Sequence, residues 1–514
     1  MQQFTQRHEQ RILGVLEGFD RILFRGTLQS ISHVQGLSTF LNVRHILLKN
    51  FKQFVEDCTG HLARHARQVA EAAGRPYHYV GSAKARKDEL ALGIARRDGI
   101  TQGLICVLAC VEPCASFDLH KDRPSHKLVL VPARRKCRFF YFYYLDPDFG
   151  LMHVRLQSWL PFDVQVCLNG REWLARQLGR EGIGFEKADN SFRRIDDLPR
   201  AQALMDELVR RPWGATLPRW VDPLVQPLWG PTGPLALVHG YYWTIRQSEY
   251  ATDVMFRDAP ALEEVYGGLC RHALETLRSP DVLRFLGQKN PGKREVTSDL
   301  RRRIEGVRVK HRVGDNSLKM YDKQGTVLRI ETTINDPHMF RSLRKAQGDP
   351  HSSLAWRKMR KSVADIARRA QVSRDANHRY LEALAVVGDT TATHRVLDPI
   401  SQPVTKAGHT HRGLRPVNPE DAALFQAVLR GEHLLHGLTN RQIQASLFDR
   451  PARDDAERRR RSAWVGHRLR LLRFHGLIQK VGRQRLYRIT LHGHQVMSLA
   501  LTLRHSNAAE LKAA

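Results

Sequence analysis

The sequence predicts an α+β, multidomain chain in which two mixed α/β units are followed by smaller helical modules. Helix-like and strand-like apolar periodicities alternate through roughly the first two thirds of the chain. The length of 514 residues is enough for about three or four domains. Proline-rich stretches at 211–234 and 396–419 interrupt these patterns and mark the predicted boundaries.

The N-terminal unit is predicted to cover residues 1–210. An amphipathic helix over Gln6–Glu17 precedes a strand-like alternation over Phe19–Gly26. The turn residues Asp146–Gly150 separate two strand patterns and predict a hairpin. Further helices are predicted at Leu37–Leu48 and Phe51–Ala72, and further strands at Gly103–Val111, Lys127–Pro132, Cys137–Leu145, Leu151–Trp159 and Phe162–Leu168.

Residues 211–234 form either a linker or an ordered arm, which Trp213, Trp220 and Trp229 would anchor. The second α/β unit, 235–340, is predicted to contain a strand at Tyr241–Phe256 and a helix at Ala261–Leu277. Its last element is a hairpin at Val307–Asn335, which turns at Gln324-Gly325.

A helix-turn-helix-like module is predicted at 341–395, within which Val363–Leu381 carries the motif. Ile366, Val372 and Leu381 fall at its apolar positions, and Ser373 is placed to cap the second helix. Gln371 stands where glycine is usual, so a plain helical hairpin is the alternative. A second linker is predicted at 396–419.

The segment 420–505 combines a short helix capped by Thr439, a long basic helix ended by Gly476, and a hairpin that turns at Gly482. From Glu420 to Leu503 it resembles the winged helix-turn-helix family, and residues 506–514 form a tail. The resemblance implies a helix in the major groove of duplex DNA and a wing on the phosphates. The alternatives are a small helical domain that packs on the rest of the chain and a protein-interaction module. The predicted nucleic-acid contacts are Arg459, Arg460, Arg461, Arg468, Arg470, Lys480, Arg483 and Arg485.

The charge balance favours a polyanionic partner. The chain has 82 Lys and Arg against 52 Asp and Glu, which gives a formal net charge of +30 spread along its length. No long apolar stretch or signal peptide is evident, so we expect no membrane partner and a cytoplasmic location. The seven cysteines are irregularly spaced and predict core thiols. No phosphate-binding loop motif occurs, so no nucleotide cofactor is expected.

The densest group of reactive side chains lies in the predicted hairpin over residues 315–335. Lys319, Tyr321 and Lys323 alternate on one strand, and Arg329 and Glu331 alternate on the next. A tyrosine between two lysines is a candidate nucleophile on a phosphodiester, because the cations are expected to lower its pKa and to neutralise charge on phosphate. A structural hairpin with surface charges is the alternative.

Together with Glu249–Asp253, this segment resembles the rolling-circle replication initiators. That resemblance implies a tyrosine that cuts one DNA strand and holds its 5′ end beside a divalent metal. The histidine pair usual in that family is missing from the segment. The spacing recurs at His409–His411 and His492–His494, which lie in the predicted linker and in the wing region.

The carboxylates expected to bind Mg²⁺ or Mn²⁺ are Glu249, Asp253, Asp322 and Glu331. On a strand, Glu249 and Asp253 would share a face about 13 Å apart, and on a helical turn they would be adjacent.

A second polar group comprises Asp118, His120, His153, Arg155 and Gln157, which would line one face of a sheet or simply be solvated. The aromatic run Phe139–Tyr144 follows three cations, so it is interpreted as core or as a base-stacking surface.

These features predict a DNA-processing protein of a mobile element or replicon, resembling a transposase or an initiator, in which Tyr321 is the candidate nicking residue. The α/β core would handle a single strand or hairpin, and the C-terminal region would bind duplex. The alternative is a non-catalytic DNA- or RNA-binding protein, such as a transcriptional regulator.

Overall fold

The computed structural model describes residues 1–82, 84–229, 233–238, 240–288, 295–303, 306–349, 351–387, 393–406, 408–430, 433, 437–448, 450–482 and 485–506. The chain divides into two compact units. The sheet unit comprises Gln10–Glu264 and Thr297–His378, and the C-terminal unit comprises Met1–Glu9, Val265–Val296 and Arg379–Ala514.

The strands lie mostly in the sheet unit. They are β1 Ile12–Thr27, β2 Tyr77–Tyr79, β3 Gly103–Lys121, β4 Leu128–Asp146, β5 Gly150–Gln157, β6 Val164–Asn169, β7 Phe185–Ala188, β8 Ser191–Ile195, β9 Tyr242–Phe256, β10 Thr297–Arg303, β11 Gly306–Val313, β12 Asn316–Lys323, β13 Val327–Ile334, β14 Arg341–Arg344, β15 Ala355–Lys358, β16 Val404–Lys406, β17 His409–His411, β18 Ile478–Lys480 and β19 Tyr487–Ile489.

Eleven of these strands form one mixed sheet in the order β10-β11-β12-β13-β9-β1-β6-β5-β4-β3-β2. Neighbouring strands are antiparallel except for β2 and β3, which are parallel. Hairpins β7–β8 and β14–β15 form separate two-stranded sheets in the same unit. The chain is therefore mixed α/β, with one large sheet and many helices.

The sheet joins regions that the sequence assigned to two separate units. Strand β1, from the first predicted unit, pairs with β9, from the second, along nearly its whole length. This pairing also replaces the C-terminal part of the helix predicted at Gln6–Glu17, because β1 already begins at Ile12. The helix that remains covers only Gln2–Arg7.

The α-helices of the described residues lie in both units. They are α1 Gln2–Arg7, α2 Val34–Val43, α3 Phe51–Ala72, α4 Lys87–Arg97, α5 Gly170–Arg180, α6 Leu198–Arg210, α7 Trp213–Thr216, α8 Pro218–Val225, α9 Ala259–Glu275, α10 Ser279–Phe285, α11 Ile366–Leu384, α12 Thr393–Ser401, α13 Pro419–Val428, α14 Asn440–Leu447, α15 Asp455–Phe474 and α16 Leu491–His505.

A separate apolar cluster packs α4 against β3 and β4, and a larger apolar core occupies much of the sheet unit. The larger core joins the sheet to α2, α3, α5 and α6, and it includes Trp213 and Trp220 from the proline-rich segment 211–234. Residues 211–229 of that segment are therefore an ordered arm, which buried Trp213 and Trp220 anchor. The buried side chains of Phe139–Tyr143 show that the aromatic run is core, so it offers no base-stacking surface.

The helix-turn-helix prediction for 363–381 is wrong. A short 3-10 turn at Val363–Asp365 leads into the single helix α11, which runs without a break from Ile366 to Leu384. No glycine or proline interrupts this stretch, so the residues at the expected turn continue the helix. Ser373, the predicted cap, lies buried inside it.

The C-terminal unit contains the elements predicted for 420–505. Thr439 caps α14 through a capping box with Gln442, Gly476 follows the end of α15 in the left-handed region, and β18 pairs with β19. The predicted linker at 396–419 is instead folded into this unit, because Leu397, Ile400 and Leu414 belong to its apolar core. Within the described residues, no helix has both the length and the apolar character needed to cross a bilayer.

Candidate functional site: an acidic cluster on the polar face of the sheet

The register of four central strands brings charged side chains onto one face of the sheet. Lys319 lies opposite Glu331, and Arg329 lies opposite both Tyr321 and Asp253. Directly paired residues on neighbouring strands share a face. We call this side the polar face.

Three carboxylates meet on the polar face. Asp20 from β1, Glu249 from β9 and Glu331 from β13 each offer one oxygen, and these oxygens lie within 4.8 Å of one another. Strand β1 shifts register against β9 between Phe19 and Arg21, at the position of Asp20. We call these three residues the acidic cluster. It contains two of the four predicted metal ligands and adds Asp20, which the sequence analysis missed.

Cations surround the acidic cluster. Lys319 Nζ lies 2.5 Å from Glu331 Oε1 and 3.7 Å from Glu249 Oε1. Arg21 Nη2 lies 3.3 Å from Glu249 Oε1, and Arg329 Nη1 lies 3.1 Å from Asp20 Oδ1. Each carboxylate thus has a basic partner within the sheet, and Lys319 links two of them.

The three carboxylates differ in their pKa. Burial tends to raise the pKa of Glu331, but Lys319, the Tyr321 hydroxyl and Arg329 outweigh burial and bring the pKa to about 2. Burial, together with the negative charge of Glu331, raises the pKa of both Asp20 and Glu249 despite their basic neighbours. The cluster is therefore one strongly acidic carboxyl beside two whose charge is disfavoured.

Tyr321 is tied to this cluster through its hydroxyl, which donates a hydrogen bond of 2.5 Å to Glu331 Oε2. Burial and the Glu331 charge raise the pKa of Tyr321 well above its ordinary value. The lowered pKa predicted from the flanking lysines is therefore wrong. Lys319 forms an ion pair with Glu331, and Lys323 forms one with Asp189 at 2.7 Å. The positive charge of both lysines is therefore offset by carboxylates.

Asp253 and Asp322, the other predicted metal ligands, lie outside the acidic cluster. Asp253 is buried and held by Arg329 at 2.5 Å and by Arg171 at 2.8 Å, which bring its pKa below the ordinary value against the effect of burial. Asp322 Oδ1 accepts a hydrogen bond from the Gly325 amide and so closes the β12–β13 turn.

Helix α5 positions Arg171. Asn169 caps this helix by accepting hydrogen bonds from the amides of Arg171 and Glu172. A Cβ at Gly170 would lie 1.9 Å from the Phe19 carbonyl oxygen, so only glycine allows this close approach to β1. The start of this helix thereby places the Arg171 side chain against Asp253 of β9.

The acidic cluster opens into a cavity of about 460 Å³. Its wall includes the predicted residues Tyr321, Lys319, Lys323 and Asp322, and His153 from the second predicted group. Burial lowers the pKa of His153 to about 4. Further charged residues of the wall are Asp88, Arg21, Arg308 and Arg329.

The other members of the second predicted group have different surroundings. Arg155 pairs with Glu112 at 2.7 Å, and Asp118 lies 3.7 Å from Arg135. Gln157 donates hydrogen bonds to the carbonyls of Trp159 and Leu160, and His120 is exposed. The structure brings only His153 of this group to the cavity wall.

Strand β11 extends the positive charge beyond the cavity. Arg308, Lys310 and Arg312 lie opposite Tyr321, Lys319 and Ser317 on the same face. Burial and the neighbouring cations lower the pKa of Lys310. The polar face therefore presents an acidic cluster flanked on one side by closely spaced cations.

The predicted nucleic-acid contacts of the C-terminal unit lie mainly at the surface. Arg459, Arg460, Arg470, Lys480 and Arg485 are exposed. Arg461 pairs with Glu457 at 2.6 Å and Arg468 with Glu420 at 2.8 Å. Arg483 lies outside the described residues.

Comparison with known protein families, with curated proteins and with solved structures finds no significant match to this chain.

Proposed function

We propose that the protein binds nucleic acid and hydrolyses a phosphodiester in the polar-face cavity with the help of a divalent cation. The observation that carries this proposal is the approach of three carboxylate oxygens to within 4.8 Å at the wall of a cavity that cationic side chains also line. Carboxylates suit a hard divalent cation, and cations suit the phosphate that would lie beside it.

Asp20, Glu249 and Glu331 would hold Mg²⁺ or Mn²⁺. The raised pKa of Asp20 and Glu249 supports this assignment, because crowded carboxylates gain from an added positive charge. A bound divalent cation supplies charge stabilisation at phosphate and lowers the pKa of water.

Lys319 and Arg308 would bind phosphate, since both side chains reach the cavity from strands next to the cluster. Tyr321 has a positioning role in this proposal, because its hydroxyl fixes one oxygen of Glu331. The exposed arginines of α15 and the β18–β19 hairpin would hold duplex through its phosphates.

The test is cleavage of labelled single-stranded and supercoiled DNA, and of RNA, with and without Mg²⁺ or Mn²⁺. Glu249→Gln and Asp20→Asn are each expected to slow cleavage by at least about tenfold and to raise the Mn²⁺ concentration required. Asp98→Asn is the matched control, since Asp98 pairs with its neighbour Arg97 at the surface. Wild-type protein that binds nucleic acid but never cleaves it would contradict hydrolysis and would favour the alternative, a non-catalytic nucleic-acid-binding protein.

A tyrosine nickase is the second candidate. It is favoured by the Tyr321 hydroxyl, which reaches the cavity and contacts a carboxylate. The two candidates differ on a denaturing gel. Hydrolysis leaves no protein on the DNA, and Tyr321→Phe keeps measurable cleavage. Nicking by Tyr321 gives a covalent adduct at a 5′ end that Tyr321→Phe abolishes.

A further inference from the structure

A second surface of the sheet unit has the composition of a nucleic-acid contact, apart from the cavity. Hairpin β14–β15 pairs Leu343 with Trp356 and Arg341 with Lys358. These four side chains share one side of the two-stranded sheet. We call this side the outer ribbon face.

The outer ribbon face exposes apolar side chains that globular proteins usually cover. Trp356 is 55% exposed and Leu343 across from it is 51% exposed, and next to this face Leu354, just before β15, is 63% exposed. The opposite side of the hairpin packs inward, where Ser342 is buried. The Arg368 side chain anchors the hairpin by donating to the Arg341 carbonyl at 2.9 Å. The exposed tryptophan therefore sits on a fixed support.

The charge around this surface is predominantly positive. Between residues 341 and 361 the sequence contains a single acidic residue, Asp349. The basic residues of the same stretch are Arg341, Arg344, Lys345, Arg357, Lys358, Arg360 and Lys361. Arg368 adds another cation, whose guanidinium carbon lies 5.2 Å from the centre of the Trp356 ring.

We propose that the outer ribbon face binds single-stranded nucleic acid, with one base stacked on Trp356 and the adjoining phosphates held by Arg341 and Lys358. A protein partner would need an apolar patch with acidic edges, whereas every nucleotide supplies a flat ring and a phosphate together. A duplex hides its base faces, so the exposed ring selects an unpaired strand. This inference is separate from the cavity, because it concerns binding and needs no cleavage.

The experiment measures the affinity of full-length protein for a short fluorescent oligothymidylate. EDTA prevents metal-dependent cleavage, and excess unlabelled duplex occupies the duplex-binding surface. Trp356→Ala is expected to weaken binding by about fivefold to 100-fold, as for the loss of one stacked base. Trp356→Phe should lose less, because a smaller aromatic ring remains. Tyr79→Ala, which removes a side chain that is 60% exposed elsewhere, should leave affinity unchanged.

A second measurement remains informative if Trp356→Ala fails to fold. The double change Arg341→Gln and Lys358→Gln should reduce the slope of log affinity against log salt by about 1.4, since each phosphate contact to a single strand contributes about 0.7. Duplex affinity, measured alone, should stay within about twofold of wild type for every variant that folds like wild type in a thermal melt.

Three results would overturn the inference. One is oligothymidylate affinity that is unchanged in both Trp356→Phe and the double variant. Another is an equal loss of affinity for duplex and single strand. The last is a Trp356 or double variant that still binds oligothymidylate like wild type but no longer sediments with phosphatidylserine vesicles. That result would make the patch a membrane contact. Failure here with intact metal-dependent cleavage would leave the proposed function standing.

Discussion

The two faces of β9 and β13 bury polar groups in opposite ways. On the polar face, Glu249 and Glu331 are charged neighbours at the wall of a cavity. On the opposite face, the alternate residues Thr252 and Thr332 form neutral hydrogen bonds with Asn377 of α11, at 3.2 and 2.7 Å. The same strands thus carry a closed hydrogen-bond network around Asn377 on one side, which Thr252 joins to the Glu17 carboxylate, and an open cluster of carboxylates on the other.

The contrast separates polar groups that only support the fold from those that are available for chemistry. Asn377 also donates to the Ile330 carbonyl at 3.1 Å, and a buried amide satisfied on all sides is expected to fix the position of α11. The acidic cluster, in contrast, holds two carboxylates whose charge its surroundings disfavour. Such a cost to stability is typical of a binding or catalytic site.

Breaking the charged side should have the largest effect on stability. Arg329→Met leaves Asp253 with Arg171 alone and removes the arginine partner of Asp20. We expect the free energy of unfolding to fall by about 3–5 kcal/mol, because removing one partner of a buried ion pair leaves the carboxylate charge poorly compensated. Denaturant titration measures it. Arg21→Ala, which removes a half-exposed partner of Glu249, should cost at most about 1 kcal/mol. Equal losses for the two variants would contradict this picture.

Breaking the hydrogen-bond network around Asn377 should cost less stability. Asn377→Ala leaves the Thr332 hydroxyl and the Ile330 carbonyl without their amide partner, so the free energy of unfolding should fall by about 1–3 kcal/mol. Cleavage per folded molecule should stay close to wild type. A folded Asn377→Ala protein with no cleavage would show that the two faces are coupled rather than separate.

The pH dependence sharpens the comparison. The pKa of Glu331 in the folded protein, about 2, lies below its ordinary value of 4.5. Its contribution to stability is therefore complete above about pH 4.5 and is lost as the pH falls toward 2. Asp20 and Glu249 oppose this loss, because their raised pKa favours protonation in the folded state.

Denaturant midpoints measured between pH 6 and pH 2.5, roughly spanning that window, should therefore fall more steeply for wild type than for Glu331→Gln. Asn377→Ala should parallel wild type, since it removes no titrating group. Parallel curves for wild type and Glu331→Gln would mean that the Lys319–Glu331 pair adds nothing to the pH dependence of stability.

The smallest expected change in stability is a gain. Glu249→Gln removes a charge that folding disfavours, so the free energy of unfolding should rise by about 0.5–1 kcal/mol while cleavage falls. The measurement is a thermal or denaturant midpoint beside the cleavage assay. A less stable Glu249→Gln protein would indicate that Lys319 and Arg21 more than compensate the charge of Glu249.

Local patterns predicted the elements but not their long-range partners. Strand β9, helix α9 and the β12–β13 turn follow from alternation, helical spacing and the Gln324-Gly325 pair. Asp20 was missed because its neighbours in the cluster come from strands far away in the sequence. The pKa of Tyr321 was mispredicted because burial and the Glu331 charge raise it, while the two flanking lysines pair with carboxylates.

The C-terminal unit was easier to predict because its signals are local. A capping threonine, a glycine after a helix and a tight turn each act within a few residues. The helix-turn-helix at 363–381 failed on the same local grounds, because a motif without its turn glycine continues as helix.

The position of β1 between β6 and β9 has a consequence for biosynthesis. As the chain leaves the ribosome, β1 with Asp20 emerges before β6, which can then cover one edge of that strand. The other edge stays open until β9 follows, and the acidic cluster is incomplete until β13 appears. Completion of the sheet therefore depends on pairing distant segments, a slow step during which the open edge is exposed to aggregation. A nascent chain has no assembled site before most of the sheet unit has been synthesised.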